Sequence, residues 1–312
     1  MHRLLFSAPV DFDGTTWNEY EMAFDDVLAA PFSMMDANNH HYWYRDCWVC
    51  DPKENFVISD MHLATIPDLK ILATPSTGNN HIDLDAVKRR GIKFISLLDD
   101  RPGLETISAS AEFTFKLLLD ALRMSPAREL HGKNIGLIGF GRIGRRLARW
   151  IEAFGANYTA VDPKEFPHLD STLLMRGMFC SFDAIVICCS LTPETRGMIG
   201  FDLLSAMKHG AALVNTARGE VIDEDALVRV MEERPDLRVA VDVVCGEVTG
   251  TAKRWRIEDA NENAIVTPHI AGETFDSRTK AARIILNLLK RELAQETPQA
   301  WASPAQVELQ EI

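Results

Sequence analysis

Three polar residues in the second half of the sequence have side chains suited to proton transfer at a carbonyl group. Each follows an apolar run that reads as a strand: Arg218 after "AALVNTA", Glu247 after "RVAVDVV" and His269 after "AIVTP". A guanidinium binds a carboxylate and polarises a carbonyl. An imidazole exchanges a proton near neutral pH, and a neighbouring carboxylate favours its charged form. Together the three residue types indicate acid–base chemistry on a small carboxylic acid.

Taken singly, the same residues also fit structural roles. A histidine after a strand is commonly a hydrogen-bonded structural residue, and an arginine is commonly an ion-pair partner. An unpaired guanidinium is costly inside a strand, however, because it stays charged when desolvated. We therefore expect the partner of Arg218 to be a ligand carboxylate.

The segment "GFGRIG" places Gly139, Gly141 and Gly144 in the spacing of dinucleotide-binding loops. A strand-like run precedes it, and a helix-like run begins inside it. Asp162 follows the next strand, 18 residues after Gly144. An acid at that position accepts hydrogen bonds from a ribose 2′-hydroxyl and repels a 2′-phosphate. The context predicts an NAD site and favours NAD over NADP, while Arg142 inside the loop could touch a phosphate or point to solvent.

The elements that position these residues alternate between strand-like and helix-like runs. In the second half we expect strands at "KNIGLIGF", "NYTAVD", "FDAIVICC", "AALVNT", "RVAVDVV" and "AIVTPHI", and short helices at "DLLSAMKHG" and "EDALVRVMEE". In the first half we expect strands at "ENFVISD", "LKILATPS" and "IKFISL", and a helix at "IDLDAVKRRG". This βαβ rhythm predicts parallel sheets, with ligands beyond the carboxyl ends of the strands.

Three longer helices and one chain break complete the expected organisation. The break at "DDRPG" (99–103) marks the first domain boundary, and a long helix is expected from Thr106 to Arg123. The helix after the glycine loop is expected to pack through Ile143, Leu147, Ile151 and Phe154. The run "RTKAARIILNLLKREL" carries an apolar stripe and is expected to return to the first domain.

Composition and charge exclude some classes of function. The net charge of −12 argues against binding a nucleic-acid backbone. No apolar run reaches the ~18–20 residues that span a bilayer, and the start "MHRLLFSAPVDFDG" lacks a convincing signal-peptide core. We therefore expect a cytoplasmic protein with no membrane or nucleic-acid partner.

The six cysteines show no disulfide-framework spacing. The segment "CWVC" (47–50) has the spacing of a redox pair or of half a zinc site, but no second CxxC or HxxxH accompanies it. We therefore expect no metal. Cys188 and Cys189, in the apolar run "AIVICC", are expected to be buried and inert.

Several motifs together resemble one enzyme family. The segments "LIGFGRIG", "LTPETRGMI", "LLSAMKHGAALVNTARGEVIDEDAL", "AVDVVCGE" and "TPHIAG" resemble, in order and spacing, those of the D-isomer-specific 2-hydroxyacid dehydrogenases, and the resemblance extends from about Leu69 to Leu289. It implies two Rossmann-like or flavodoxin-like α/β domains with parallel sheets and the active site in the interdomain cleft. It also implies a substrate domain at 1–101 plus 277–312 and an NAD-binding domain at 102–276.

The resemblance further implies roles for individual residues. Arg218 matches the substrate-binding arginine, His269 the acid–base histidine, and Glu247 its carboxylate partner. Substrate binding is assigned to Ser76, Thr77 and Gly78 together with Arg218 and His269. The cofactor-binding residues we predict are Gly139, Gly141, Arg142, Ile143, Gly144, Asp162, Cys189, Ser190, Thr195, Thr216, Ala217, Asp242 and Gly272. The implied reaction is NAD-dependent interconversion of a D-2-hydroxy acid and its 2-keto acid.

Some segments depart from the family pattern. The run "DVVCGEVTG" differs around Glu247, and Cys188 and Ser190 replace a histidine and a proline. Only "MSPAREL" (124–130) stands where relatives insert a dimerisation arm, so a homodimer stays open. The aromatic stretch "HHYWYRDCWVC" (40–50) could form a substrate lid, an oligomer interface or a partly exposed structural patch. The alternative functions are an NAD-sensing, corepressor-like binding protein and a catalytically inactive homologue.

Overall fold

The computed structural model describes residues 2–30, 44–53, 56–124, 126–168 and 170–295. These residues form two compact α/β units. The first contains the described residues up to Thr106 together with residues 278–295, and the second contains those of Ile107–Ser277. No helix within the described residues is both long enough and apolar enough to cross a bilayer.

The first unit is built on a parallel sheet whose described strands have the order β2-β1-β3-β4-β5. This 2-1-3-4-5 order is that of flavodoxin-like sheets. The strands are β1 (Arg3–Phe6), β2 (Asp26–Ala29), β3 (Cys47–Val49), β4 (Ile71–Thr74) and β5 (Lys93–Ser96). The helices of this part are α1 (Gly14–Ala23), α2 (Asp60–Ala64), α3 (Leu84–Arg89) and α4 (Arg101–Leu104), and a 3-10 turn spans Leu97–Asp99.

The strand β3 corrects the interpretation of the aromatic stretch. Residues 40–43 lie outside the described residues, but Cys47–Val49 is a fully buried central strand between β1 and β4. Its Trp48 Nε1 donates to Ser7 Oγ at 2.8 Å. Residues 45–50 are therefore core, and neither a lid nor an exposed patch, because a strand with neighbours on both edges places its side chains inside the unit.

The expected strand at "ENFVISD" is also wrong within the described residues 56–60. Ile58 forms an isolated parallel bridge with Ile82, and its N–H donates to His81 O at 2.8 Å. The extended segment stops there because Ser59 caps α2, which begins at Asp60. The helix therefore takes over before a ladder can form.

The last helix, α11 (Phe275–Gln295), carries the predicted apolar stripe, and its members Ala281, Ile284, Ile285, Leu288 and Leu289 are all buried. Its part after Arg278 packs in the first unit. Tyr20 donates its hydroxyl to Ala282 O at 2.8 Å, and Arg278 pairs with Asp11.

The second unit is built on a parallel sheet whose described strands have the order β7-β6-β8-β9-β10-β11. The order reverses at β6, where β7 lies on one side and β8 on the other, so a ligand crevice is expected at the carboxyl end of β6. The strands are β6 (Asn134–Ile138), β7 (Asn157–Val161), β8 (Ala184–Ile187), β9 (Ala212–Asn215), β10 (Arg238–Val241) and β11 (Ala264–Val266). The helices are α5 (Ala109–Arg123), α6 (Arg142–Ala153), α7 (Ser171–Ser181), α8 (Phe201–Ser205), α9 (Glu224–Glu233) and α10 (Trp255–Ala260), and a 3-10 turn spans Gly219–Val221.

This second sheet has a hydrophobic cluster on each face. Along β8, Ile185 and Ile187 belong to one cluster, whereas Ala184 and Val186 belong to the other. Because side chains alternate across a strand, the central strands are apolar throughout. Their ends are therefore the places where polar side chains can leave the core.

The helices differ from the expectations in several places. The long helix begins at Ala109 instead of Thr106, and the break at 99–103 contains α4. The helices α7 and α10 were not expected. Phe154, the C-cap residue of α6, packs as expected, since its ring meets that of Phe115 edge-on at 5.1 Å, but 54% of the residue stays exposed.

Candidate active site

The glycine loop joins β6 to α6, and two of its glycines are required by packing. Gly139 has a φ of +98°, and a Cβ there would lie 2.6 Å from the backbone nitrogen of Cys189. A Cβ on Gly144 would collide with the carbonyl oxygen of Gly139. These two glycines therefore allow β6, β8 and the start of α6 to approach closely.

Gly141 differs, because a Cβ built there would have no protein atom within 4 Å. It is the N-cap residue of the 12-residue helix α6 and makes no side-chain cap. Within the described residues, the N–H groups of Ile143 and Gly144 have no protein acceptor. Open space at a helix N-terminus with unpaired N–H groups fits a pyrophosphate. The residues present therefore fit a dinucleotide.

Asp162 lies directly after β7 and is held against the glycine loop. Its Oδ2 accepts the N–H of Phe140 at 2.9 Å, and its Oδ1 accepts the N–H of Lys164 at 2.9 Å. A carboxylate offers about four acceptor positions, so it can still accept from ribose hydroxyls.

Arg142 does not extend into solvent. Its guanidinium donates to the carbonyl of Ile107, which also accepts from Arg146. The two arginines thus tie the first turns of α6 to the segment before α5.

The loop after β8 contains Cys189, Ser190 and Thr195. Thr195 Oγ1 donates to Ser190 O at 2.8 Å and accepts from Thr192 N at 2.8 Å, so the loop is internally fixed. Burial raises the pKa of Cys189 to about 11, despite a backbone hydrogen bond that lowers it, and the Asp162 charge adds to the rise. Burial also raises the pKa of Cys188. Both thiols stay neutral at physiological pH, as expected for inert residues, although the two cysteines are half-buried instead of fully buried.

Arg218 leaves the sheet at the end of β9. Its guanidinium Nη1 donates to Ala217 O at 2.6 Å, and its backbone carbonyl accepts from Asn215 Nδ2 at 2.9 Å. Within the described chain no carboxylate oxygen lies within 4 Å of its guanidinium. Burial lowers the pKa of Arg218, while the charges of Glu247 and Glu220 act in the opposite direction. The arginine stays protonated and is short of a direct anionic partner.

Gly219 sets the distance between this arginine and the next strand end. A Cβ at Gly219 would collide with the backbone of Val244. The neighbouring Thr216 shares a hydrogen bond of 2.6 Å with Thr114 Oγ1 from α5. The end of β9 is thus fixed from two sides.

Glu247 and His269 come together at the ends of β10 and β11. Glu247 Oε2 lies 2.7 Å from His269 Nδ1, and the imidazole side chain is 35% exposed. The other carboxylate oxygen pairs with Arg254 and accepts the N–H of Val244 at 3.3 Å. Burial pushes the pKa of Glu247 upward, but the hydrogen bond and charge of His269 and the charge of Arg254 outweigh burial, so the pKa is lowered. The carboxylate is therefore ionised at neutral pH.

Asp242 shapes the turn that carries His269. Its fully buried carboxylate accepts from Thr267 Oγ1 at 2.5 Å and from the N–H groups of Ile270 and Ala271 at 2.9 Å each. His269 has a φ of +57°, and its N–H donates to Asp242 O at 2.9 Å. Because residues other than glycine rarely adopt this conformation, the turn depends on these hydrogen bonds. Three of them occupy the Asp242 carboxylate that was predicted to line the cofactor.

Gly272 lies one residue beyond this turn. Its carbonyl accepts from Ser277 Oγ, and a Cβ built there would lie 3.5 Å from Ser110 Oγ. The position is therefore close to the start of α5, at an ordinary contact distance.

The predicted substrate loop belongs to the first unit and follows β4. Ser76 Oγ donates to Gly78 O at 2.6 Å, and Ser76 O accepts from Leu97 N at 3.2 Å. Among the residues described, no protein acceptor meets the N–H groups of Thr77 and Gly78. The loop is shaped by its own hydrogen bonds and presents two backbone donors.

The strand geometry of "CWVC" argues against a paired-thiol site. Cys50 continues the β3 ladder through its N–H, which donates to Ala73 O at 2.9 Å. Three extended residues span roughly 10 Å and place the two thiols on opposite faces, whereas disulfide-linked Cα atoms lie within about 7 Å. Across the described ranges, no group of three or more His, Cys, Asp or Glu side chains could hold a metal ion.

Comparisons with known proteins agree with this architecture. Residues 115–271 match the NAD binding domain of D-isomer specific 2-hydroxyacid dehydrogenases. The chain is 33% identical to a glyoxylate reductase of Thermofilum pendens over 264 residues, which are 73% of this chain and 74% of that protein. This chain belongs to the D-isomer-specific 2-hydroxyacid dehydrogenase family.

Two further relatives extend the comparison. The chain is 31% identical to D-3-phosphoglycerate dehydrogenase of Mycobacterium tuberculosis over 256 residues, 75% of this chain. It spans about half of that relative, 47% of its length. The NAD+-bound 3-phosphoglycerate dehydrogenase of Entamoeba histolytica has a TM-score of 0.78 at 22% identity, covering 95% of this chain and 96% of the other, and so shares the fold.

Sequence reasoning missed two residues that shape this dehydrogenase-family site. Arg254 contacts Glu247 from the start of α10, and Thr114 contacts Thr216 from α5. The helical spacing of α5 places Thr114 on the buried face, which was a usable signal. Arg254 gave none, because it lies in "AKRWR", outside every recognised motif.

Proposed function

We propose that this chain is an NAD(H)-dependent oxidoreductase that interconverts a D-2-hydroxy acid and the corresponding 2-keto acid. The observation that carries the proposal is the 2.7 Å contact between Glu247 and His269, at the carboxyl edge of the sheet that also carries the glycine loop. Membership of the dehydrogenase family supports it. Chemically, a carboxylate-paired imidazole beside a hydride carrier is the arrangement that ketone reduction needs.

In the proposed reaction, His269 handles the proton. NAD(H), when bound, supplies the hydride for reduction and accepts it for oxidation. In reduction the imidazole would give its proton to the substrate carbonyl oxygen, and in oxidation it would take the proton of the substrate hydroxyl. Glu247 accepts from Nδ1, which fixes the ring orientation and stabilises the imidazolium. Nε2 is then the atom that exchanges the proton.

Arg218 is proposed to bind the substrate carboxylate and to polarise its carbonyl. The support is that Arg218 is half-buried and that, in the described ranges, no carboxylate lies within 4 Å of its guanidinium. Ser76, Thr77 and Gly78 of the first unit are proposed to bind substrate as well, since the latter two present backbone N–H donors. We propose that the first unit is the substrate domain and the second the NAD-binding domain.

NADH is proposed to be preferred over NADPH. The support is Asp162, whose carboxylate is fixed against the glycine loop by Phe140 N and Lys164 N. A 2′-phosphate at that position would meet a negative charge. The other cofactor residues that we propose are Gly139, Gly141, Arg142, Ile143, Gly144, Cys189, Ser190, Thr195, Thr216, Ala217, Asp242 and Gly272.

The identity of the substrate is the most specific part of the proposal, and a panel of 2-keto acids tests it. NADH oxidation should be followed with glyoxylate, hydroxypyruvate, pyruvate, phenylpyruvate and 2-ketoisocaproate. We expect at least one to be reduced to the D-hydroxy acid. If NADH bound tightly while none was reduced, the proposal would fail and a dinucleotide-sensing or inactive homologue would be favoured.

A homodimer is a separate proposal. Only ten residues separate the end of α5 at Arg123 from the start of β6 at Asn134. Light scattering after size exclusion should give the mass of either one or two chains. A monomer would show that the chain assembles differently from the family's dimers.

A further inference from the structure

Arg254 touches both members of the proposed acid–base pair through different groups. Its Nη2 forms an ion pair with Glu247 Oε1, the carboxylate oxygen that does not face His269. Its Nη1 donates to Thr267 O at 2.5 Å, two residues before His269, and lies 3.4 Å from Asp242 O. One guanidinium therefore joins the loop after β10 to the turn after β11.

The contacts leave Glu247 little freedom to turn. Oε2 meets His269 at 2.7 Å, while Oε1 meets Arg254 and the N–H of Val244. The Glu247 side chain is 17% exposed and that of Arg254 is 28% exposed. Ion pairs this sheltered are screened less than surface pairs. Loss of Arg254 would free one oxygen and leave the carboxylate held mainly by the imidazole.

The charges around Glu247 have both signs. Among the described residues it contacts Arg254 and also His269, which is a cation only when protonated, and its charge also acts on Arg218. Three acidic residues also lie nearby. Glu224 accepts the N–H of Cys245, and Glu220 accepts that of Gly246. Asp242 accepts the N–H groups of Ile270 and Ala271. The negative neighbours favour a proton on Glu247, and Arg254 opposes them.

We propose that Arg254 is a positioning residue, which keeps Glu247 ionised and aimed at Nδ1 of His269. The proposal rests on the proposed reductase function and adds a residue to it. Arg254 reaches the reaction only through Glu247 and the turn at Thr267. Its effect is therefore on the pH range in which Glu247 is ionised and can pair with His269, and a pH profile of activity measures that range.

The variants Arg254→Gln and Arg254→Lys test the proposal, and Arg256→Gln is the matched control. Arg256 lies two residues further on and pairs with Asp225 at 2.6 Å and Glu224 at 3.4 Å, without touching Glu247. Removing the charge of Arg254 raises the pKa of Glu247. Activity that needs the carboxylate is then lost at a higher pH as the solution is acidified.

The readout is the acid limb of kcat/KM for the best keto acid. We expect its midpoint to move upward by about one pH unit in Arg254→Gln. It should stay near wild type in Arg254→Lys, which keeps the charge, and in Arg256→Gln. An unchanged midpoint in Arg254→Gln would overturn the proposal, as would an equal shift in Arg256→Gln.

A second measurement separates this proposal from the reductase function. Carboxyl-13C glutamate spectra, with Glu247→Gln to assign the signal, follow the titration of Glu247 without any turnover. In Arg254→Gln the titration midpoint of the Glu247 signal is expected to move to higher pH, as the activity midpoint does. If the wild type reduced no keto acid but the signal moved, the reductase function would fail while the role of Arg254 toward Glu247 stood. An unmoved signal would overturn the role of Arg254 whatever the activity.

Discussion

Asp242 holds His269 in its left-handed conformation: the carbonyl oxygen of Asp242 accepts the N–H of His269 at 2.9 Å, and its carboxylate accepts the next two N–H groups. The φ of +57° at His269 is unusual for a residue with a Cβ. The imidazole direction is thus set by a buried acid on a neighbouring strand end.

Asp242→Ala is expected to lower both stability and turnover. The variant removes the acceptor of two backbone N–H groups and leaves the Thr267 hydroxyl only its 3.5 Å contact with Val241 O. The N–H of the buried Ala271 is then unsatisfied, which costs about 1–3 kcal/mol. Thermal unfolding and kcat measure the two effects. Thr267→Val removes one donor and leaves the other two hydrogen bonds to Asp242, so Tm and kcat should fall clearly less than in Asp242→Ala. Equal Tm values for wild type and Asp242→Ala would contradict this role.

Gly141→Ala is expected to weaken NADH binding without destabilising the fold. Its φ of −75° suits alanine, and no protein atom lies within 4 Å of the added Cβ, so the methyl group enters the space assigned to the pyrophosphate. Calorimetric Kd and Tm check the two parts. Gly177→Ala also has open space around its Cβ, but it lies within α7 and should leave the Kd unchanged. Unaltered NADH affinity in Gly141→Ala would place the cofactor elsewhere.

Asp162→Ser is expected to shift cofactor preference toward NADPH. It removes the negative charge next to the glycine loop, and with it the repulsion of a 2′-phosphate. The ratio of kcat/KM values for NADPH and NADH measures the change. Glu165→Gln removes a carboxylate three residues away that pairs with Arg145, and its ratio should stay near wild type. An unchanged ratio in Asp162→Ser would refute the assignment.

Glu247→Gln is expected to reduce turnover at neutral pH and to remove the acid limb that Glu247 causes. The pKa of Glu247 lies below its usual 4.5, so the wild-type carboxylate is ionised above that value and is lost only as the pH falls through the lowered pKa. Glutamine cannot stabilise the imidazolium by charge. A profile from pH 4 to 9 checks this, and a retained acid limb would assign that limb to another group.

Much of the second unit follows from local patterns. The glycine loop, the apolar strands and the acid after β7 can each be identified from the sequence, because a single residue type or a local spacing is enough to recognise them. Strand β3 was missed because "CWV" is short and lies beside aromatic residues that read as a surface patch. Its identity comes from pairing with β1 and β4, which is a long-range property.

The sequence predicts which residue types form the site, but not the contacts that hold those residues in place. Arg218, Glu247 and His269 are visible because each follows a strand-like run. The contact of Arg254 with Glu247 depends on where α10 begins, and the left-handed turn at His269 depends on bonds to Asp242, 27 positions earlier. Neither relationship leaves a periodic pattern in the sequence.

The most direct test of the central claim is the kcat of His269→Ala on the best 2-keto acid, measured beside its NADH affinity. If the imidazole donates the proton, kcat should fall by about 10²- to 10⁴-fold, the usual contribution of a general acid, while NADH affinity stays near wild type. Near wild-type turnover in His269→Ala would contradict the proposed mechanism.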